Sequence, residues 1–332
     1  MVDTQSSADA PSRRVGVREV ARAAGVSTQT VSRVINDNPG IRAETRQRVL
    51  DAMAALDYRV NNAARALGTS RTRTVGIVAS DASMYGPAIG IVALESAARA
   101  AGLWVTTAYA DAGDESSMIA AARHLGAQGV DGIVVVAPHA RTLAALGSAG
   151  LGVPVIALHG PEAAGAQREA AKMAIGYLAQ AGHVRIGHLA GPADWLEAAE
   201  RANGYIASVA EFGVQSVGTW RGDWSAASGF AAAADIAVAA GAGLSAIFAA
   251  NDQMALGLIA GLAAAGIDVP GDISVVGVDD NADSAYYRPA LSSVRLDVAG
   301  EAARCIAELV DVAAAPPAAP MLVVRASVAP PA

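Results

Sequence analysis

Val17-Arg-Glu-Val-Ala-Arg-Ala-Ala-Gly-Val-Ser-Thr-Gln-Thr-Val-Ser-Arg-Val-Ile35 is the stretch on which the reading of this chain turns. Val20, Ala21 and Ala24 recur at helical spacing, and Val31, Val34 and Ile35 form a second such stripe. Two short amphipathic helices fit, broken at Ala24-Gly25-Val26, where Gly25 supplies a tight turn. Ser27 is a natural N-cap, its hydroxyl accepting a free backbone N–H of the second helix. The outward face of that helix carries Thr28, Gln29 and Arg33. Gln pairs two-pronged with adenine and Arg with guanine, so the stretch reads as a helix-turn-helix with Thr28 to Arg33 as its recognition helix. An ordinary helical hairpin with a solvated polar face satisfies the same local pattern, and the rest of the chain decides between the two.

Charge distribution is the first discriminator. The 332 residues carry a net charge of -7, which alone argues against nucleic acid. Up to Thr74, however, 12 arginines face seven acidic residues, whereas the remainder holds 12 basic and 24 acidic ones. A basic head on an acidic body is the asymmetry expected when a single module touches phosphate. The chain is 53% hydrophobic, long enough for a small module plus a body with a large core, and no apolar run reaches membrane-spanning length. Its one cysteine, Cys305, excludes a disulfide framework and suits a buried position in a reducing compartment. Residues 1–14 read as a disordered N-terminus without a signal-peptide core, so a cytoplasmic protein with no membrane partner is expected.

Beyond the recognition helix, Asn38-Pro39-Gly40 is a turn, and a third helix runs from Ala43 to Leu56 with Val49, Leu50, Met53 and Leu56 as its buried stripe. Arg46 and Arg48 on it suit either phosphates or a solvated face. Tyr58 to Leu67 is a marginal helical segment that needs a partner to hold in water, and Gly68 to Thr74 is a polar linker.

Glu19-Val-Ala-Arg-Ala-Ala-Gly-Val-Ser27, Thr30-Val-Ser-Arg-Val-Ile-Asn36, Arg46-x-Arg-Val-Leu50 and Tyr58…Asn61-x-Ala-Ala-Arg-x-Leu67 together resemble the head of the LacI-type (lactose repressor/GalR) transcription regulators. The resemblance implies dimeric binding to a near-palindromic operator. It places Thr28, Gln29 and Arg33 in the major groove, with Arg18, Ser27, Ser32, Asn36, Tyr58 and Asn61 near the backbone. It also implies a hinge helix that forms on DNA, with Leu67 wedged into the minor groove and Ala64 and Arg65 beside it. Three positions depart from the family pattern: Val60 replaces a proline, while Gly16 and Arg42 replace the usual helix caps.

From residue 75 onward, short β-branched runs alternate with Ala-rich helical stretches. The strand candidates are Val75–Ala79, Trp104–Ala108, Gly132–Ala137, Pro154–Leu158, Ile186–Ala190, Ala246–Ala249, Ser274–Val278 and Ser292–Arg295, with Met321–Arg325 as a last strand. This is an α/β body with parallel sheets covered on both faces, too many strands for one sheet, and a ligand cleft at the carboxyl ends of the strands. The runs Gly191-Pro-Ala-Asp-Trp195, Gly222-Asp-Trp-Ser225, Ala250-Asn-Asp-Gln-Met254 and Asp272-Ile-Ser-Val-Val-Gly-x-Asp-Asp280 are similar to the family's effector domain. That implies a periplasmic-binding-protein-like body of two doubly wound subdomains. The expected divisions are 15–60 for the helix-turn-helix, 61–74 for hinge and linker, and 75–330 for effector binding and dimerisation, with crossovers near 178–185, 294–298 and 316–321.

A sugar site needs convergent hydrogen-bonding groups and flat apolar surface. Asp279 follows an apolar strand, where its carboxylate can accept two hydroxyl protons. Asn251 stands at a strand-to-helix junction, and Arg201 presents a planar donor fork. Asn251 or Asp252 equally suits a helix cap, and Arg201 a pair with Glu197 one turn earlier. Trp195 and Trp224 suit aromatic walls or partly buried anchors. By resemblance Arg201, Asn251 and Asp279 match ligand positions, and Asp81, Met84 and Pro87 lie on the effector loop. Glu169 and Leu296 replace residues more familiar there. The five scattered histidines read as surface or supporting groups. No metal-spaced cluster, nucleophile elbow or phosphate loop suggests an enzyme or a cofactor, and Asp279 and Asp280, read as strand neighbours, face opposite sides. The expectation is a homodimeric repressor of the LacI type, controlled by a sugar, a galactoside or related carbohydrate. A purine or nucleoside co-repressor is the alternative ligand, and a sugar-binding protein without DNA regulation the alternative class. After residue 325 no leucine heptad follows, so a dimer rather than a tetramer is expected.

Overall fold

The computed structural model describes residues 15–36, 38–58, 71–136 and 139–331. The chain divides between Arg73 and Thr74 into two compact units. In the first, helices Val17–Ala24 (α1), Thr28–Ile35 (α2) and Ala43–Ala55 (α3) close around Val20, Ala21, Ala24, Val31, Val34, Val49 and Ala52. Gly25 sits at φ 64, a left-handed turn that a side chain would strain. The Ser27 hydroxyl accepts from the Thr30 N–H at 3.1 Å, capping α2. At α1 the missing cap is replaced from the other side, the Gly16 N–H donating to the Glu19 carboxylate. The α3 stripe differs from expectation: Leu50 is 45% exposed and Ala52 takes its place. Positions 49, 52, 53 and 56 follow the three-and-four spacing, and residue 50 lies about 100° off that line.

The second unit is built on two sheets. Thr74–Ala79 (β1), Trp104–Tyr109 (β2), Gly132–Val136 (β3) and Val155–Ala157 (β4) form a parallel sheet in the order β2-β1-β3-β4. It is flanked by Tyr85–Ala100 (α4), Glu115–Ala127 (α5) and Ala140–Ser148 (α6). The other sheet has the order β10-β9-β8-β7-β5-β6, from Arg185–Ala190 (β5), Gln215–Arg221 (β6), Ala246–Ala249 (β7), Ser274–Val278 (β8), Ser292–Arg295 (β9) and the antiparallel Met321–Val323 (β10). Helices Ala164–Gln180 (α7), Leu196–Glu211 (α8), Ala226–Gly241 (α9) and Asp252–Ala264 (α10) accompany it, and Val298–Leu309 (α11) follows β9.

β6 is absent from the expected strands because it is an edge strand whose polar residues carry no apolar run. The first crossing also lies earlier than 178–185. Ala170, Ala174, Ile175 and Leu178 of α7 pack on Phe248, Val276 and Val294 of the six-stranded sheet, so the chain has crossed before Ala164. It returns between Arg295 and Val298, because Ala302, Cys305 and Ile306 of α11 pack on Val134 and Val136 of the first sheet. It crosses again before β10, between Leu309 and Met321. Cys305 is a free, fully buried thiol, which burial holds up at about 12.

Among the described residues no helix is long and apolar enough to cross a membrane.

α9 and α10 approach closely at Gly257, where an added Cβ would overlap the Ala226 carbonyl oxygen. Gly257→Ala is therefore expected to destabilise the body by about 1–3 kcal/mol. Gly241→Ala, where nothing lies within 4 Å, should leave the thermal unfolding midpoint unchanged or slightly raised. Equal midpoints for the two variants would contradict this packing.

Candidate functional site

On the head, the predicted DNA face is a coherent surface. Thr28, Gln29, Ser32 and Arg33 are all exposed on α2, as are Ser27 and, on α1, Arg18. Positions 29, 32 and 33 share one helix face. Asn36 donates toward the Ser32 hydroxyl at 3.4 Å. Tyr58 differs in kind, packing half-buried against the head core, and burial raises its phenol. Asn61, Ala64, Arg65 and Leu67 lie outside the described residues.

In the body, the strands end around a cavity of about 460 Å³. Met84 and Pro87, at the start of α4, reach it from the four-stranded half. Trp195, Arg201, Trp224, Asn251 and Asp279 reach it from the six-stranded half. Asp81 does not line it; the Asp81 carbonyl instead accepts from the Met84 N–H at 2.8 Å and shapes the loop. Glu169 is exposed on α7 and also stays outside, whereas Leu296 is part of the wall.

Of the two readings of Asn251, the structure shows the helix cap, and both polar groups of the side chain are engaged within the protein. Its carbonyl oxygen caps α10 at the Met254 N–H (2.8 Å), and its amide donates to the Trp224 carbonyl at 3.0 Å. Asn251 thus positions Trp224. Arg201 is not paired with Glu197. Its Nε donates to Gln167 at 2.8 Å, Nη1 donates to the Ala250 carbonyl, and Nη2 stands 3.7 Å from Asp279. The guanidinium also lies 5.6 Å from the Trp224 ring centroid. Trp195 and Trp224 meet edge-on with centroids 5.7 Å apart and are both 5% exposed, so each is wall and anchor together.

Asp279 and Asp280 are not strand neighbours. They follow β8 with φ of 106° and 48°, and both line the cavity, so the alternation expected of a strand does not separate them. Burial pushes Asp279 up to about 6, with Glu197 adding to the effect and Arg201 and His159 opposing it. Asp280 is held by Arg295 and by Arg325, the latter at 2.6 Å. Beneath the loop, fully buried Asp252 accepts from Asn281 N–H and the hydroxyls of Ser284 and Ser293. Burial, then repulsion by Asp279, raises Asp252 to about 7.

Sequence reasoning missed Tyr85, His159, Glu197 and Asp280 as cavity residues. The usable signals were position and spacing: His159 directly follows an apolar strand, and Glu197 lies one turn before Arg201. The Tyr85 phenol is pushed up to about 12 by burial and by the facing Asp279, Asp252 and Asp280. His159 donates its N–H to Glu301 at 2.5 Å and pairs through Nδ1 at 2.8 Å. Burial pulls this imidazole down, and the Glu301 carboxylate outweighs it, leaving the group raised. Of the histidines, His124 alone is at the surface. His139 backs Trp195 at 5.3 Å, and His183 and His188 are buried.

Replacing Asn251 by Ala removes both the cap and the donor to Trp224. The expected loss is about 1–3 kcal/mol of stability with a red shift of tryptophan emission; an unchanged spectrum would argue against this tether.

Comparison with known proteins agrees with both units. Residues 17–61 match the family model for bacterial regulatory proteins of the lacI family, and residues 175–328 match that for a periplasmic binding protein-like domain. The lactose operon repressor of Escherichia coli (strain K12) is 32% identical over 290 residues, covering 85% of this chain and 80% of that protein. The HTH-type transcriptional regulator GalR of the same organism is 35% identical over 300 residues, covering 85% and 84%. A crystal structure of the lac repressor dimer bound to operator and the anti-inducer ONPF superposes with a TM-score of 0.78 at 29% identity, covering 96% of this chain and all of that one. With a helix-turn-helix head, a body of two parallel sheets and relatives of this length and identity, the chain belongs to the lacI family of DNA-binding bacterial transcription regulators.

Proposed function

We propose that this regulator is a dimeric repressor whose effector is a sugar, a galactoside or related carbohydrate, held in the cavity between the two sheets. The observation that carries this reading is the cavity itself: Asp279 and Arg201 present charged hydrogen-bonding groups beside the flat surfaces of Trp195 and Trp224. The two indoles meet at 69°, forming a corner and not the parallel slot in which a purine would stack. Operator contacts fall to Thr28, Gln29 and Arg33 for bases and to Arg18, Ser27, Ser32 and Asn36 for the backbone. The cavity takes residues from both halves of the body, so a bound ligand favours one orientation of the halves. It changes operator affinity only through its own difference in affinity for the two states.

Two experiments test this. In fluorescence anisotropy with palindromic duplexes selected from a random pool, the double variant Gln29→Ala/Arg33→Ala should lose specific binding while sugar-induced thermal stabilisation persists. Loss of both together, or no palindrome preferred over random DNA by the unaltered protein, would overturn the modular reading. The second is the pH dependence of sugar affinity. The carboxylate of Asp279 is the hydroxyl acceptor and titrates near 6, so protonation removes the acceptor. Affinity should fall about tenfold from pH 7 to pH 5. In Asp279→Asn that pH dependence should be absent.

A further inference from the structure

The carboxylates around the cavity are unevenly paired. Asp280 is held by Arg295 and Arg325, and Glu301 by His159. Arg201 is committed to the Gln167 and Ala250 oxygens and stands 3.7 Å from Asp279. Glu197 is left over. It lines the cavity from the first turn of α8 and is only 7% exposed. Its Oε2 is closed off from solvent and meets no hydrogen-bond donor among the described residues. Its charge is felt by its neighbours, raising both Asp279 and His159.

The one cationic group that Glu197 favours, the His159 imidazole, is engaged at Nδ1 by Glu301, so no donor among the described residues is left to Glu197 Oε2, and a buried carboxylate oxygen without a donor is costly. The N-terminal turn of α8 favours an anion at Glu197 but supplies only a partial charge. A neutral sugar offers hydroxyl donors, yet as it covers Glu197 it removes solvent without adding positive charge. A cationic ligand does both.

We infer that the cavity selects a protonated amino sugar, with an ammonium group set against Glu197 and neutral hydroxyls against Asp279. This inference rests on the sugar reading above and narrows it. Glu197 is then the specificity-determining residue: it discriminates by charge, while the rest of the site recognises the ring.

Isothermal titration calorimetry of the full chain at pH 7 tests it with matched pairs, D-galactosamine against D-galactose and D-glucosamine against D-glucose, and N-acetyl-D-galactosamine as the uncharged amide. For at least one pair the amine is expected to bind about tenfold or more tighter than the neutral sugar, and the N-acetyl form to lose that advantage. In Glu197→Gln, and in Glu197→Ala as a second variant, the amine and neutral sugar should bind within about threefold of each other. Equal or weaker binding of the amines by the unaltered protein would overturn the inference, as would a preference that survives both substitutions. If neutral sugars bind and the amines gain nothing, the sugar reading stands and only this inference fails. If no member of either pair binds, both fall.

Discussion

A guanidinium cannot shed its charge on burial, so a buried arginine obliges its surroundings to supply acceptors. Arg201 is 5% exposed, and the architecture of the cavity follows from how it is satisfied. Its acceptors come from α7, from the residue after β7 and from the loop after β8, and its flat face lies over Trp224 after β6. One side chain thus draws together elements far apart in sequence, and it does so at the strand ends, where a parallel sheet leaves its carbonyl edge open.

A second layer holds this arrangement in place. Asn251 and Asp252 are consecutive, yet they act on different parts of the wall. Asn251 caps α10 and grips Trp224, while Asp252 anchors the loop carrying Asp279 and Asp280. That loop needs anchoring because Asp279 and Asp280 adopt left-handed backbone, as do Trp224 and His159. Each such residue costs of order 1–3 kcal/mol unless the surroundings over-determine it. The buried hydrogen bonds to Ser284, Ser293 and Asn281 provide that over-determination, and they explain why an ionisable Asp252 tolerates full burial.

The distribution of charge separates two kinds of recognition along the chain. The head concentrates arginine on a small scaffold whose core is made of valine and alanine, leaving its polar side chains on the outside. The body carries the acidic surplus, and within the cavity that surplus is structured: some carboxylates are locked to arginine or histidine, while others face the open volume. Electrostatic selectivity for small molecules and for DNA is thereby kept on different units.

The sequence by itself determined the elements. Helical stripes at Val20–Ala24 and Val31–Ile35, the glycine turn between them and the serine cap are local features, and local periodicity is visible without the fold. Most central strands were legible because their runs are largely apolar, as burial on both faces favours; the edge strand β6, with its polar residues, carried no such run. Trp224, Arg201 and Asp279 were legible as cavity candidates through the motifs that carry the family resemblance; Arg201 itself lies inside α8. Only the tertiary structure decided which half owns α7 and α11, that Asn251 works on Trp224, that Asp280 faces the same cavity as Asp279, and that Glu197 Oε2 meets no hydrogen-bond donor among the described residues. Those outcomes depend on contacts between residues 27 to more than 100 positions apart. Pairing across such separations is set by packing and by the need to satisfy buried polar groups, and neither leaves a periodic trace along the chain.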